Sequence, residues 1–207
     1  MASNTEPRAD LPLFPLQAVL FPDGLLGLKI FEARYLDLVG SCLREQRPFG
    51  VICLRQGSDA GRGAVQLEDV GTLAHIDEVD SEQAGILRLR CRGGSRFALE
   101  GTPAQQADGL WTAPVSAVDD DPIEMPEPSM LATVAALAQA IRKLKAQDAS
   151  PFLEPYRLDD AGWVANRWCE ILPIPLAAKH KLMALESPSV RLRIIDEYLR
   201  SKQVVSD

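Results

Sequence analysis

LPLFPLQAVLFPDG, residues 11–24, is strongly apolar, yet it holds Pro12, Pro15 and Pro22 and closes on Asp23-Gly24. A run of this kind near an N-terminus is a signal peptide, a membrane anchor or the first strand of a buried sheet. A secretory signal needs a positive segment ahead of its apolar run, whereas the residues before Leu11 hold Arg8 against Glu6 and Asp10. The run is too short to span a bilayer, and its prolines break it as a helix. An extended segment is left. Pro12 and Pro15 push each preceding residue toward extended backbone, and a proline within a sheet belongs at a strand's start, edge or bulge. Residues 11–16 therefore read as an opening or edge strand, with a bend near Gln17, an extended 19–21 and a turn at Pro22-Asp23-Gly24. Residues 25–31 read as a second strand.

From Glu32 the apolar period changes. Tyr35, Leu38, Val39, Cys42 and Leu43 recur at helical spacing opposite Glu32, Arg34, Asp37, Arg44 and Glu45, which predicts one helix near 32–46, ending before Pro48. Short β-like runs follow at 49–55, 71–79, 85–91, 96–100 and 110–118, divided by turn-rich segments that include 56–63 and Gly93-Gly94. Strands this short and frequent predict a small barrel or sandwich. Asp119-Asp120-Asp121-Pro122, with Pro126 and Pro128, breaks the composition and predicts a β subdomain over 1–121 and a helical one over 122–207. In the latter, Leu131, Val134, Ala138, Ile141 and Leu144 line one helix, and Trp163, Val164, Arg167, Trp168 and Ile171 a second. Pro175 and Pro188 suit the first turns of two more, with Ser187 as N-cap of the last. The expected class is α+β.

With 207 residues, 46% of them hydrophobic, the chain can bury a core without metal or disulfide staples. Its net charge of -7 argues against nucleic acid as a partner, because that affinity comes mainly from Lys and Arg displacing counterions. Cys42, Cys53, Cys91 and Cys169 show no metal-ligand spacing and read as reduced, buried thiols of a cytoplasmic protein. His75 falls in an expected strand and His180 between two lysines; both read as structural or solvated rather than as a general base. The loop GSDAGRG, 57–63, has the glycine content of a phosphate loop without its spacing. Asp119-Asp120 and Asp159-Asp160 lie in the linker and at a helix start, where acids solvate and cap. No catalytic residue, cofactor or metal is expected, and no membrane partner.

LRLRCRGGSRF, 87–97, carries more. Strand alternation places Arg88, Arg90 and Arg92 on one face, with Arg96 just past a Gly-Gly turn, and four neighbouring guanidinium groups grip phosphate or carboxylate. The favoured alternative pairs them with Asp77, Glu78, Asp80 and Glu82 on the preceding strand and turn.

The ordered blocks also carry a resemblance. LPLFPLQAVLFPDGLLGLKIFEARYLDLV resembles the opening of the Lon protease N-terminal domain, with its L-P-L-F-P-L strand, its V-x-F-P-G turn and its I-F-E-x-R-Y helix start. FGVI, VGTLAHI and RGGSRFAL match the next blocks, and EILPIPLAAKHKLMALESPSVRLRIIDEYL resembles the closing helices, so the likeness covers residues 10–201. Lys29 stands where His is usual, Ala33 where Pro is usual, and Asp23 separates Pro22 from Gly24, so the turn and the helix start depart from the pattern. The resemblance implies a PUA-like β-barrel followed by a helical bundle. It implies a non-enzymatic module that binds unfolded or tagged polypeptide, with a separate ATPase or protease as a further partner. With no phosphate loop and an end after the helices, the chain is expected to be a stand-alone member. The expected contacts are a β-edge at the proline-interrupted strand and the turn residues Phe21, Leu25 and Leu26, of which Phe21 more readily fills the barrel core. Two other functions remain open: RNA binding through Arg88, Arg90, Arg92 and Arg96, and a small-molecule or enzymatic pocket between barrel and helices using Arg34, Tyr35, Trp163 or Trp168.

Overall fold

The computed structural model describes residues 10–56, 65–147, 149 and 151–205. The GSDAGRG loop and the segment before Asp10 lie outside the described residues, as does the side chain of Glu82. Eight strands are described: β1 (Leu11–Leu16), β2 (Leu25–Ile30), β3 (Phe49–Gln56), β4 (Gln66–Gln83), β5 (Ile86–Leu99), β6 (Ala104–Gln105), β7 (Trp111–Ala113) and β8 (Val115–Ala117). They form one sheet in the order β2-β5-β4-β3-β1-β7-β6, with β8 paired to β5 off that path. The helices are α1 (Ala33–Glu45), α2 (Leu131–Lys145), α3 (Ala161–Ile171), α4 (Leu176–Ala184) and α5 (Pro188–Ser201), with a 3-10 turn at Pro128–Met130. The class is α+β. The described chain divides into two compact units, the first ending at Asp119 and excluding Phe21–Leu25, which belong with the second.

In the first unit, β1 pairs in parallel with β3 over Leu13–Leu16 and antiparallel with β7 over Leu11–Leu13. A parallel pair needs a long crossover, and α1 supplies it. The strand expected at an edge is therefore interior. Its prolines are tolerated because each half of the strand has one partner: Pro12 lies opposite Thr112 of β7, and Pro15 opposite Ile52 of β3.

Gly93-Gly94, expected as a turn, lies inside β5. The ladder steps from Thr72↔Arg96 to Ala74↔Gly93, so β5 holds one extra residue there, a bulge rather than a chain reversal. Gly94 makes room for a neighbour, since a Cβ on it would lie 2.6 Å from His75 Nε2. The single strand expected at 110–118 is cut into β7 and β8 at Pro114, which has no N–H to donate to a ladder. The second strand stops at Ile30, leaving Phe31 64% exposed.

Two apolar clusters fill this unit. α1 lays Tyr35, Leu38, Val39 and Cys42 on Phe14, Ile30, Phe49 and Leu89. Leu43, expected on that face, is 46% exposed, because the stripe follows i, i+3, i+4, i+7 from Tyr35 and Leu43 is a further 100° round. The second cluster gathers Leu13, Ile52, Phe97 and Ala113. The Phe97 ring fits over two glycines: a Cβ would come within 2.9 Å of it at Gly50 and 2.4 Å at Gly71.

The second unit is built round α3, which is buried from Ala161 to Cys169. Asp160 caps it, accepting from the Gly162 and Trp163 amides at 3.0 and 3.3 Å. Pro188 opens α5 behind Ser187, whose Oγ accepts from the Val190 amide at 3.3 Å. α2 buries Thr133, Leu137 and Ile141, while Leu131 is 55% exposed. The expected stripe is thus turned by about one residue. The cause is polar: Thr133 donates to Asp196 Oδ1 at 2.5 Å, and its carbonyl accepts from Trp168 Nε1 at 3.2 Å. Arg191 of α5 is fully buried and ties four parts together, donating to Leu182 O at 2.7 Å, Asp121 Oδ2 at 2.5 Å, Asn166 Oδ1 at 3.1 Å and the Leu185 carbonyl.

Candidate polypeptide-binding site

The turn of the opening stretch is clamped. Asp23 takes a left-handed φ of 57°, and the Gly24 amide donates to Phe21 O at 2.9 Å. A Cβ on Gly24 would meet Glu170 Oε1 at 2.5 Å and Phe21 O at 2.8 Å, so the position requires glycine. Arg167 of α3 donates to Asp23 O at 2.5 Å, to Pro22 O at 2.8 Å and to Glu170 Oε1 at 2.7 Å. Arg157 pairs with the Asp23 carboxylate. The Phe152 and Trp163 rings lie 5.9 and 5.6 Å from the Arg167 guanidinium. Burial lowers the Arg167 pKa, and burial pushes Glu170 up to about 7 against the pull of Arg167 and Lys179. Asp23, the insertion between Pro22 and Gly24, thus supplies both a left-handed corner and a carboxylate.

This turn offers little free apolar surface. Phe21 is fully buried, within the second unit, and Leu25 and Leu26 are half-buried, with Leu26 packed on the α1 cluster of the first unit. The sequence placed Arg167 on an apolar helix face without a role. A lone arginine in AGWVANRWCEI was the available signal, because a buried cation must be paired.

The arginines do not converge either. Arg90 pairs with Glu78 at 3.0 Å and Arg92 with Asp77 at 3.5 Å, while Arg88 is exposed opposite Asp80. The β5 bulge takes Arg96 off the stripe; it is 3% exposed and donates to Asp119 O at 2.9 Å. Of the pocket candidates, Tyr35 stacks on Phe14 at 4.0 Å and Arg34 donates to Gly109 O at 2.6 Å, both in the first unit. Trp163 and Trp168 are buried in the second. Burial raises every thiol, Cys53 to about 11 and Cys91 and Cys169 to about 12, with Cys42 also pushed up, so none is a thiolate near neutrality. His75 is pushed down, first by burial and then by Arg92.

Exposed apolar side chains lie elsewhere, in the run read as a plain linker. Residues 122–127 form neither helix nor strand, and Pro122 and Pro126 bias the residues before them toward extended backbone. Glu124 is the inward anchor: its carbonyl accepts from the Ala161 amide at 2.8 Å and its carboxylate from Ser189. Glu127 pairs with Arg193 at 2.9 Å. Ile123 and Met125 face out, 81% and 80% exposed. On α5, Val190 and Ile194 lie one turn apart, each next in sequence to a residue tied to this segment, and are 40% and 43% exposed. The missed signal was an isoleucine and a methionine in an otherwise proline- and acid-rich run.

The family model that matches this chain, over residues 10–201, describes the substrate-binding domain of the ATP-dependent protease La (LON). Similar proteins include Lon protease of Anaeromyxobacter dehalogenans, 23% identical over 95% of the chain, and Lon protease 2 of Myxococcus xanthus, 22% identical over 94%. The chain spans 24% of the length of each. The crystal structure of a Lon N-terminal domain protein from Xanthomonas campestris superposes with a TM-score of 0.74 at 30% identity, over 91% of this chain and 97% of that one. The N-terminal domain of a Mycobacterium avium complex Lon protease shares the fold, with a TM-score of 0.61 at 16% identity over 92% and 98%. Among the described residues, no helix is long and apolar enough to cross a membrane.

Proposed function

The chain belongs to the family of substrate-binding domains of the ATP-dependent protease La, and from that premise we propose that it recognises exposed apolar segments of other polypeptides, by binding rather than by catalysis. The observation that carries this reading is the pair Ile123 and Met125, about four-fifths exposed on either side of the anchored Glu124. Apolar side chains presented this way mark contact surfaces. Burying both against a partner is worth roughly 3–5 kcal/mol, enough for weak to moderate affinity once the neighbouring apolar groups of α5 join. Methionine adapts to ligands of different shape, which suits a module that takes many sequences. Partners are unfolded or tagged chains, together with an ATPase or protease to which such a chain is delivered. Four buried, unpaired thiols support a cytoplasmic setting.

Fluorescence anisotropy with a reduced, unfolded reporter protein tests the proposal. Binding is expected at tens of micromolar or tighter, and Ile123→Ser with Met125→Ser is expected to weaken it by about a hundredfold or more. No binding in that range overturns the reading.

A further inference from the structure

A cleft of about 480 Å³ lies wholly within the first unit, between the start of β1, α1 and the β6–β7 hairpin. Pro12, Leu38 and Leu110 give it apolar lining beside the polar Ser41, Gln106 and Thr112, and Asp10, Asp37 and Asp108 also line it. The hairpin is set by Gly109 at a φ of 88°, and Arg34 reaches across to the Gly109 carbonyl at 2.6 Å, fixing the neighbouring Asp108 at the cleft. Asp108 Oδ1 accepts from the Leu110 amide at 2.9 Å, which orients its second oxygen independently of any ligand.

The charges are unbalanced. The two lining cations are neutralised by their own carboxylates: Arg34 by Glu32 at 2.8 Å and Arg47 by Glu45 at 2.5 Å. Among the described residues, neither Asp37 nor Asp108 has an ion-pair partner. No three of these carboxylates draw together at metal-ligand separation. The cleft therefore combines apolar lining from Pro12, Leu38 and Leu110 with separated negative charges, which complements a long aliphatic stem ending in a cation.

We propose that this cleft receives a lysine or arginine side chain of the bound polypeptide, its methylene stem over Leu38 and Leu110 and its charge between Asp37 and Asp108. The inference rests on the reading of the chain as a polypeptide-recognition module and gives that module a chemical preference. Apolar segments flanked by a basic residue are then better ligands than apolar segments alone.

The test compares a short unstructured peptide carrying lysines among apolar residues with the same peptide bearing acetyl-lysine, on the intact chain. The lysine form is expected to bind about fivefold tighter, the size of one or two part-exposed ion pairs, with the advantage shrinking as salt is added. Asp37→Asn with Asp108→Asn, near-isosteric changes at exposed positions, abolishes that advantage and leaves the thermal midpoint in place. Equal binding of the two peptides overturns the inference and leaves the wider reading standing. A lysine advantage that survives in the double variant also overturns it. Binding of neither peptide overturns both.

Discussion

Arg167→Met removes one guanidinium and strands three groups: the carbonyls of Pro22 and Asp23 lose their donor, and Glu170 loses its nearest cation. Breaking a buried pair from one side costs about 3–5 kcal/mol, so the variant's urea midpoint should fall well below wild type. Glu170 itself titrates unusually. Its carboxyl ionises near 4.5 when unfolded but holds its proton to about 7 in the fold, where burial outweighs the arginine. Stability from this group is therefore present below 4.5 and lost as pH rises toward 7. Wild type should lose stability relative to Glu170→Gln across that window, and the difference should be flat above and below it. Parallel melts of both proteins across the pH range check this. An opposite slope would show that Arg167 holds Glu170 ionised.

At the scale of elements, the crossing of β3, β4 and β5 depends on one ring over two glycines. A Cβ on Gly71 would lie 2.4 Å from Phe97 Cζ and 2.6 Å from Val51 O, and the backbone oxygen cannot retreat as a flexible side chain would. Gly71→Ala should cost about 1–3 kcal/mol, whereas alanine at Gly27, which has nothing within 4 Å, should cost less than Gly71→Ala. Thermal denaturation of the two variants separates the cases. Such close approaches explain which elements were legible beforehand. α1, the N-cap at Ser187 and the strand expected at 49–55 follow from local period and capping, and they form within a residue of where expected. The interior place of β1, the continuity of β5 through Gly93-Gly94 and the rotation of α2 toward Thr133 depend on partners distant in sequence, which periodicity does not register.

For the molecule as a whole, the division between groups that hold the fold and groups that face solvent is wide. Of the arginines read as binding candidates, Arg96 is buried in the fold, while Arg90 and Arg92 face solvent in exposed ion pairs with Glu78 and Asp77; the exposed Ile123 and Met125 lay in a run that composition alone marks as linker. Because those two side chains are about four-fifths exposed, their serine variants should keep the wild-type melting midpoint while losing affinity for unfolded reporter. The clamped turn adds a consequence in time. Pro22 leaves the ribosome 145 residues ahead of the arginine that holds its carbonyl. At about 5–20 residues per second, that interval lasts roughly 7–30 s. During synthesis, then, the carbonyls of Pro22 and Asp23 stay bonded to water, and the turn is clamped only when α3 arrives.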